Sequence, residues 1–294
     1  MKEFDCVIIG SGIAGMTSAI YLKRAGINTL IIESSAPGGQ MLKSSSIENY
    51  PGYKNIDGPT LAYNVFEQVN ELNTPYLYEK VINVDFDNNV IKTNNNEIKY
   101  KYLIIATGRR NRKLNLENEE FLEGKGISFC ALCDGNFYKD KEVVVVGGAN
   151  SAVEEALYLS NVCKKVTIIY RGNKLKAEEK MIIKLNNTKN IEVLYKTEIK
   201  EYILEDKKLD KVLLNNNKTL EAKGIFVAIG GLPNSETFDL NKDNGYILVD
   251  CNYKTSVDNV YACGDVIKKD IYQLTTAVGE ASIVANNIIK EINN

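Results

Sequence analysis

The sequence of 294 residues contains no histidine. That absence removes Ser-His-Asp and Cys-His nucleophiles and every His-ligated zinc. Acid–base work is left to Asp, Glu, Lys, Tyr or Cys. Net charge is also scarce: 36 Lys plus Arg against 38 Asp plus Glu give a formal −2. General nucleic-acid or membrane-surface binders need a net basic field that this chain lacks. Long apolar runs are missing too. Charged Lys2, Glu3 and Asp5 precede a run from Cys6 to Ile9 that is too short for a signal-peptide core or a membrane span. Lys290 to Asn294 carry no lipidation motif. Six cysteines are too few for a secreted disulfide scaffold of this length. The expectation is a cytoplasmic protein. With 44% hydrophobic and 25% charged residues the chain reads as globular, and its length suits two domains with cores that need no covalent staples.

Two stretches look alike. From Phe4 to Glu33, an apolar strand, Cys6-Val7-Ile8-Ile9, meets a glycine-rich turn. An amphipathic helix over about Ala14–Ala25 follows, then a strand, Thr29–Ile32, closed by Glu33. From Glu142 to Arg171, a strand over Val143–Val146 meets Gly147-Gly148-Ala149-Asn150-Ser151-Ala152. A helix to about Asn161 and a strand over Val166–Tyr170 come next. Each reads as a βαβ unit with parallel strands. Alternating segments Val81–Phe86 and Asn89–Thr93 read as a hairpin, and residues 191–223 repeat that style. A short strand runs into a glycine turn at Leu103–Gly108 and again at Ile225–Gly230; the chain closes with Val260–Asp265 and a helix over about Thr275–Ile289. The expected class is α/β, with two similar nucleotide-binding domains.

Gly10-Ser11-Gly12-Ile13-Ala14-Gly15 is a GxGxxG run between strand and helix. Its glycines permit a tight turn and close approach of a pyrophosphate, the helix N-terminus stabilises negative charge, and Glu33 can accept hydrogen bonds from ribose hydroxyls. This unit reads as a site for FAD or NAD, against a purely structural glycine turn. In the second unit Ala149 stands where the middle glycine is expected, and its methyl sits where a pyrophosphate approaches. The second strand ends in Arg171, which accommodates a 2′-phosphate as an acid does not. It reads as a site for NADPH, against a decayed fold that binds no nucleotide. Cys130-Ala131-Leu132-Cys133-Asp134-Gly135 carries the chemistry: the cysteine spacing suits a reversible disulfide, and Asp134 could deliver a proton during exchange. Zinc needs a second ligand pair, which Cys6, Cys163, Cys251 and Cys263 do not form, so no metal is expected; a purely structural cysteine pair stays open. The four single cysteines read as small core residues.

Together these motifs resemble the low-molecular-weight bacterial thioredoxin reductases over essentially the whole chain. The resemblance is carried by Gly10–Gly15, Gly38-Gly39-Gln40, Glu48-Asn49-Tyr50-Pro51-Gly52 and Ala106-Thr107-Gly108. It continues in Cys130 and Cys133 with Asp134-Gly135, Ala152-Val153-Glu154-Glu155-Ala156, Gly264-Asp265 and Gln273. The dithiol lies just ahead of the second nucleotide motif, whereas related flavin disulfide reductases carry it in the first domain. The resemblance implies two Rossmann-like domains, each a three-layer ββα stack, the second inserted in the first. An FAD domain would span residues 1–114 and 241–294. An inserted pyridine-nucleotide domain, 115–240, would carry the dithiol, with hinges near 113–115 and 240–244. It also implies a homodimer passing electrons from NADPH to FAD, to the disulfide and on to thioredoxin. Cys133 would face the flavin, Cys130 attack the substrate disulfide, and Asp134 act as acid and base. The implied FAD contacts are Gly10, Ser11, Gly12, Ile13, Ala14, Gly15, Glu33, Ser34, Gly38, Gly39, Gln40, Met41, Asn49, Val81, Ala106, Thr107, Gly108, Gly264, Asp265, Gln273 and Leu274. The implied NADPH contacts are Gly148, Asn150, Ser151, Ala152, Arg171, Lys174 and Lys176.

Two departures stand out beside Ala149. The family's 2′-phosphate motif, His-Arg-Arg-x-x-x-Arg, is replaced by Tyr170-Arg171-Gly172-Asn173-Lys174-Leu175-Lys176. One lost charge-assisted bond, about 1.5–3 kcal/mol, weakens NADPH binding roughly tenfold to a hundredfold. Lys174 and Lys176 restore part of that as point charges, without the arginine fork. Tyr272 stands where the family usually has Arg beside the flavin-facing Gln273. Finally, one subgroup of the family takes electrons from reduced ferredoxin instead of a pyridine nucleotide. The cluster Arg109-Arg110-x-Arg112-Lys113 could steer an acidic ferredoxin; the alternative is a solvated loop. A non-catalytic flavin-binding interaction protein is a further reading, and it leaves the dithiol beside Asp134 without a purpose.

Overall fold

The computed structural model describes residues 2–44 and 47–294. The chain forms two compact units: Met1–Ser44, Ile56–Arg110 and Leu232–Asn294 in the first, Ser45–Asn55 and Asn111–Gly231 in the second. The chain therefore crosses between units after Arg110 and after Gly231, where the sequence expectation put the changes after 114 and 240. It also groups 45–55 with the second unit.

The first unit begins with β1 (Lys2–Ile9), α1 (Ile13–Arg24), β2 (Thr29–Glu33), α2 (Gly58–Glu71) and β3 (Tyr76–Tyr78), followed by β4 (Val81–Asp85), β5 (Val90–Thr93) and β6 (Glu97–Ile105). Strand β7 (Arg109–Asn111) leads into the second unit. That unit contains α3 (Glu119–Leu122), β8 (Ile127–Ser128), α4 (Ala131–Asp134), β9 (Glu142–Val146), α5 (Asn150–Leu159), β10 (Lys165–Tyr170) and α6 (Glu179–Asn186). It closes with β11 (Ile191–Tyr195), β12 (Ile199–Glu205), β13 (Lys208–Leu214), β14 (Thr219–Glu221) and β15 (Gly224–Val227). The return passes through β16 (Gly231–Pro233), β17 (Lys242–Asp243), β18 (Tyr246–Ile247), β19 (Val260–Ala262) and α7 (Leu274–Asn293).

Within β1, β2 and β9 the buried segments Cys6–Ile9, Leu30–Ile32 and Val143–Val146 are continuous apolar runs because parallel strands are covered on both faces. In the first unit the parallel order is β3-β2-β1-β6, and the far edge of β6 is shared. Its start pairs antiparallel with β5, and Leu103–Ile105 pair parallel with β19. In the second unit the parallel order is β11-β10-β9-β15-β8. In each sheet three parallel strands run in reverse chain order and a later strand follows them: β3-β2-β1 then β6, and β11-β10-β9 then β15.

Successive strand residues point to opposite faces, and this builds three layers. In the second unit Val144, Val146, Ile169, Ile225 and Val227 pack with Tyr202, Leu209, Val212 and Leu214 of the antiparallel β12–β14 layer. Their neighbours Val143, Val145, Val166, Ile168 and Phe226 pack on Ala152, Val153, Ala156 and Leu159 of α5. The first unit repeats the scheme, with Val7, Ile9, Leu30 and Ile32 against Val84, Ile91 and Ile98. On its helical side α1 packs with α7, whose Ala277, Ala281, Val284, Ala285 and Ile288 form a buried stripe.

Two details differ from the sequence reading. Within residues 191–223 the expected hairpin style holds for β12–β14, while β11 is a parallel edge strand registered Val166↔Ile191. A short alternating run has the same period in either setting, so sequence does not separate them. The last helix is longer than expected at both ends. It starts at Leu274 because Gln273 and Thr276 form a reciprocal capping box. Among the described residues no helix is long and apolar enough to cross a membrane.

Candidate active site

Strand β1 ends at Gly10, whose φ of +104° favours glycine and whose missing Cβ leaves room for the Ala106 carbonyl at the end of β6. Gly15 likewise lies against the Gly10 carbonyl and has no space for a side chain. Gly12 caps α1 without any side-chain bond, and the first helical turn carries no acid. A Cβ on Gly12 would meet no atom within 4 Å, and one on Gly39 would come within 3.3 Å of Gly12 Cα. The Gly38 N–H donates to the Ser11 carbonyl at 2.7 Å, holding the Gly38–Gly39 turn across Gly10–Gly12. Glu33 accepts the Ser11 N–H at 2.8 Å on one oxygen and the Ser35 N–H at 2.9 Å on the other.

The structure thus gathers Gly10–Gly15, Glu33, Ser34, Gly38 and Gly39. Gln40 and Met41 continue that turn into a short 3-10 stretch. Ala106 and Thr107 lie beside Gly10, followed by Gly108. Gly264 packs beside Ala14, with a missing Cβ 2.9 Å from that methyl, and brings Asp265 with it. Gln273 and Leu274 open α7. Val81 packs on the core of the same unit, and Asn49 belongs to the segment grouped with the second unit. Tyr76 was not foreseen: its hydroxyl meets the buried Ser11 hydroxyl at 3.2 Å. A bare backbone at a helix N-terminus, with a carboxylate at the end of the second strand, fits the pyrophosphate and ribose of FAD.

The second turn repeats this frame. Gly147, with φ +151°, leaves room for the Ala228 carbonyl. Ala149 caps α5 with ψ −175°, the value found at Gly12, so its exposed methyl does not alter the course of the turn. The Lys176 N–H donates to the Gly148 carbonyl at 2.6 Å. Asn150 accepts the Glu178 N–H at 2.9 Å; Ser151 is exposed, and Ala152 is buried beside Gly147. The Tyr170 ring lies against Gly148 and reaches Gly172, where a Cβ would come within 2.6 Å of it. The residues at 170 and 172 are therefore coupled: a side chain at 172 requires the tyrosine ring to move. Arg171, Lys174 and Lys176 are exposed and have no ion pair among the described residues. Three free cations near a helix N-terminus fit the phosphates of NADPH.

Strand β8 pairs with β15 in the register Ile127↔Ile225, Ser128↔Phe226, and delivers Cys130 to the start of α4. Cys130 and Cys133 are joined by a disulfide, with Cα atoms 5.3 Å apart. The Cys133 N–H points to Cys130 Sγ at 3.2 Å, which favours negative charge on that sulfur once the pair is reduced. Asp134 Oδ2 accepts from the Ser128 hydroxyl at 2.6 Å, and Oδ1 is buried without a partner. Burial holds the Asp134 carboxyl above the usual carboxylate range, with the Ser128 bond opposing it. An acid that keeps its proton to higher pH suits proton delivery. Cys6, Cys163 and Cys263 are buried, and burial pushes the Cys163 thiol up to about 11 and Cys263 up to about 12. Cys251 corrects the core expectation: it is exposed, on a turn closed by Asp250, which accepts the Asn252 N–H at 2.8 Å.

A family model described as pyridine nucleotide-disulphide oxidoreductase matches residues 4–281. The thioredoxin reductase of Ureaplasma parvum serovar 3 is 41% identical, over 97% of this chain and 95% of its own. That of Bacillus subtilis (strain 168) is 38% identical, over 98% and 94%. The crystal structure of thioredoxin reductase from Streptococcus pyogenes superposes with a TM-score of 0.92 at 35% identity, covering 99% of this chain and 98% of that one. The chain belongs to the pyridine nucleotide-disulphide oxidoreductases. Within them it is a flavoprotein of the low-molecular-weight thioredoxin reductase type, and reductases of this type use FAD and NADPH.

The basic cluster of this reductase is mostly neutralised. Arg109 Nε lies 3.5 Å from Asp265, Arg110 is 2.7 Å from Glu236, and Lys113 is 3.3 Å from both Glu120 and Glu123. Arg112 alone of the four has no ion pair among the described residues. The Arg109 guanidinium also sits over the Tyr272 ring, 4.1 Å from its centroid. Lys269 completes the cluster, bonded to the buried Glu280 at 2.9 Å and lying 3.4 Å from Asp265.

Proposed function

We propose that this oxidoreductase reduces thioredoxin, drawing electrons from NADPH through FAD and the Cys130–Cys133 disulfide. The observation that carries the reading is the disulfide beside the buried Asp134 carboxyl, whose Oδ1 has no partner, in a unit whose own nucleotide turn displays unpaired cations. The first unit holds FAD on Gly10–Gly15, Glu33, Gly38 and Gly39. The second unit holds NADPH on the α5 N-terminus with Arg171, Lys174 and Lys176. When bound, the flavin relays an electron pair from NADPH to the disulfide.

The residues of the chain do the rest. In the reduced pair Cys130 gives its proton to Asp134, and the resulting thiolate attacks one sulfur of the substrate disulfide. That S–S bond breaks, a mixed disulfide forms, and the departing sulfur takes a proton from Asp134. Cys133 then gives its proton to Asp134 and attacks Cys130 Sγ. The protein disulfide closes, and the second substrate sulfur leaves as a thiol after taking a proton in turn. Two electrons and two protons thus pass from the dithiol to the substrate. The Cys133 N–H bond to Cys130 Sγ supports Cys130 as the attacking sulfur, with Cys133 recharged from the flavin side.

Ferredoxin as donor loses its main support, because Arg109, Arg110 and Lys113 are already paired. The resemblance further supports a homodimer in the cytoplasm, and size-exclusion chromatography tests the dimer. The decisive experiment replaces Cys130 or Cys133 by Ser. Each variant keeps its yellow flavin and loses NADPH-dependent thioredoxin reduction, and activity surviving either change rejects the mechanism.

A further inference from the structure

Ser128 belongs to none of the recognised motifs, yet it touches both the attacking cysteine and the acid. It ends β8, where the parallel pairing with β15 fixes its backbone, and it is 4% exposed. Its hydroxyl meets three groups: Asp134 Oδ2 at 2.6 Å, the Cys130 N–H at 3.1 Å and the Cys130 carbonyl at 3.3 Å. A hydroxyl has one proton to donate and two lone pairs to accept with. The Cys130 N–H takes one lone pair. The short separation from Asp134 matches an O–H donated to a carboxylate, so the Cys130 carbonyl is the weaker alternative acceptor. Asp134 Oδ1 has no partner although it is buried. An unpaired buried anionic oxygen is costly, and adding a proton there relieves the cost.

We propose, resting on the reading of Asp134 as the acid and base of dithiol exchange, that Ser128 is a positioning residue. It ties Asp134 Oδ2 to the Cys130 backbone and so reserves Oδ1 as the oxygen that carries the proton. One hydroxyl makes the attacking cysteine and the proton donor a single rigid piece. During exchange the proton leaves Oδ1 for the departing sulfur of the substrate and returns from Cys133, while Oδ2 stays tethered.

Other ionisable groups surround Asp134. Tyr138 lies in the following turn and feels the Asp134 charge, and Lys141 lies 5.7 Å from that ring's centroid. Glu154, Glu155 and Tyr158 are on α5, which packs against α4, with Cys163 beyond its end; Glu48 bonds Asn136 at 3.1 Å. Ser128 is the hydrogen-bond partner of the carboxylate, so removing it acts on Asp134 directly. The bond favours the charged form, so its loss raises the pH at which Asp134 gives up its proton. The limb along which activity falls with rising pH therefore moves to higher pH, by about one to two units.

The test uses flavin-loaded protein, reduced anaerobically and mixed with oxidised thioredoxin in a single turnover across the pH range. Ser128→Ala shifts the falling limb upward at unchanged flavin content, and Ser128→Thr, which keeps the hydroxyl, restores the original limb. Should Ser128→Ala not fold, Ser128→Gly removes the same hydroxyl and carries the same expectation. A limb unmoved by loss of the hydroxyl, or a rate lowered equally at every pH, overturns the proposal. Asp134→Asn separates the two levels. If it removes the limb while Ser128→Ala leaves it in place, only the role of Ser128 falls. If Asp134→Asn leaves the limb untouched, the reading of Asp134 falls and takes this proposal with it.

Discussion

Gly10 and Gly147 stand at the same point of two strand–turn–helix units, each with a positive φ and each with a neighbouring carbonyl where a Cβ would go. The likeness extends to the loops that return after the second strands. Gly38 N–H bonds the Ser11 carbonyl at 2.7 Å, and Lys176 N–H bonds the corresponding Gly148 carbonyl at 2.6 Å. At that shared anchor the units part. The first presents Gly38 and Gly39, bare backbone, with the Glu33 carboxylate fixed by two N–H groups. The second presents Lys174, Lys176 and Arg171, all exposed. A glycine turn, then, builds a generic anion seat. Which nucleotide sits there is decided by side chains on the returning loop: an acid for a free ribose hydroxyl, cations for an extra phosphate.

This contrast can be broken most severely at Gly15. In Gly15→Ala the new methyl drives into the Gly10 carbonyl, so the protein purifies without its yellow colour and loses about 3 kcal/mol in urea unfolding. The mirror change, Ala152→Gly, keeps both nucleotides and costs about 1 kcal/mol of helix stability; a yellow Gly15→Ala protein would dissolve the asymmetry. Next in size, Arg171→Ala raises the NADPH KM by roughly tenfold to a hundredfold and leaves kcat and any NADH KM unchanged in steady-state assays. The paired change Tyr170→His with Gly172→Arg sharpens the contrast. Together they lower the NADPH KM about tenfold, whereas Gly172→Arg alone does not, because its Cβ meets the Tyr170 ring; a double-mutant cycle reads the coupling. Smallest is Ala149→Gly, with a change in NADPH KM below about threefold, since the turn already follows the course set at Gly12.

Both turns were legible in the sequence because their signals are local: glycine spacing, an apolar run before it, and the charge that closes the second strand. The disulfide was legible for the same reason, as its partners are one helical turn apart. What escaped depends on contacts between distant positions. Ser11 with Tyr76, and Arg109 over Tyr272, join residues that share no period and no motif. Ser128 is close in sequence to Asp134, but only the return of the chain through α4 brings its hydroxyl to the carboxylate. An edge strand alternates as a hairpin strand does, so the sequence does not separate β11 from the hairpin run. Cys251 was misplaced because small apolar character alone does not reveal a turn closed by Asp250.

The shared edge of β6 bears on how the chain is made. On that edge Leu103–Ile105 pair with Val260–Ala262, far along the chain, while their other edge pairs with β1. Domains mature in order as they leave the ribosome, so the stretch Asn111–Gly231 emerges whole while that apolar edge is still open. Until the last segments are translated, the nascent protein carries an unpaired β edge of the kind that recruits chaperones or other chains.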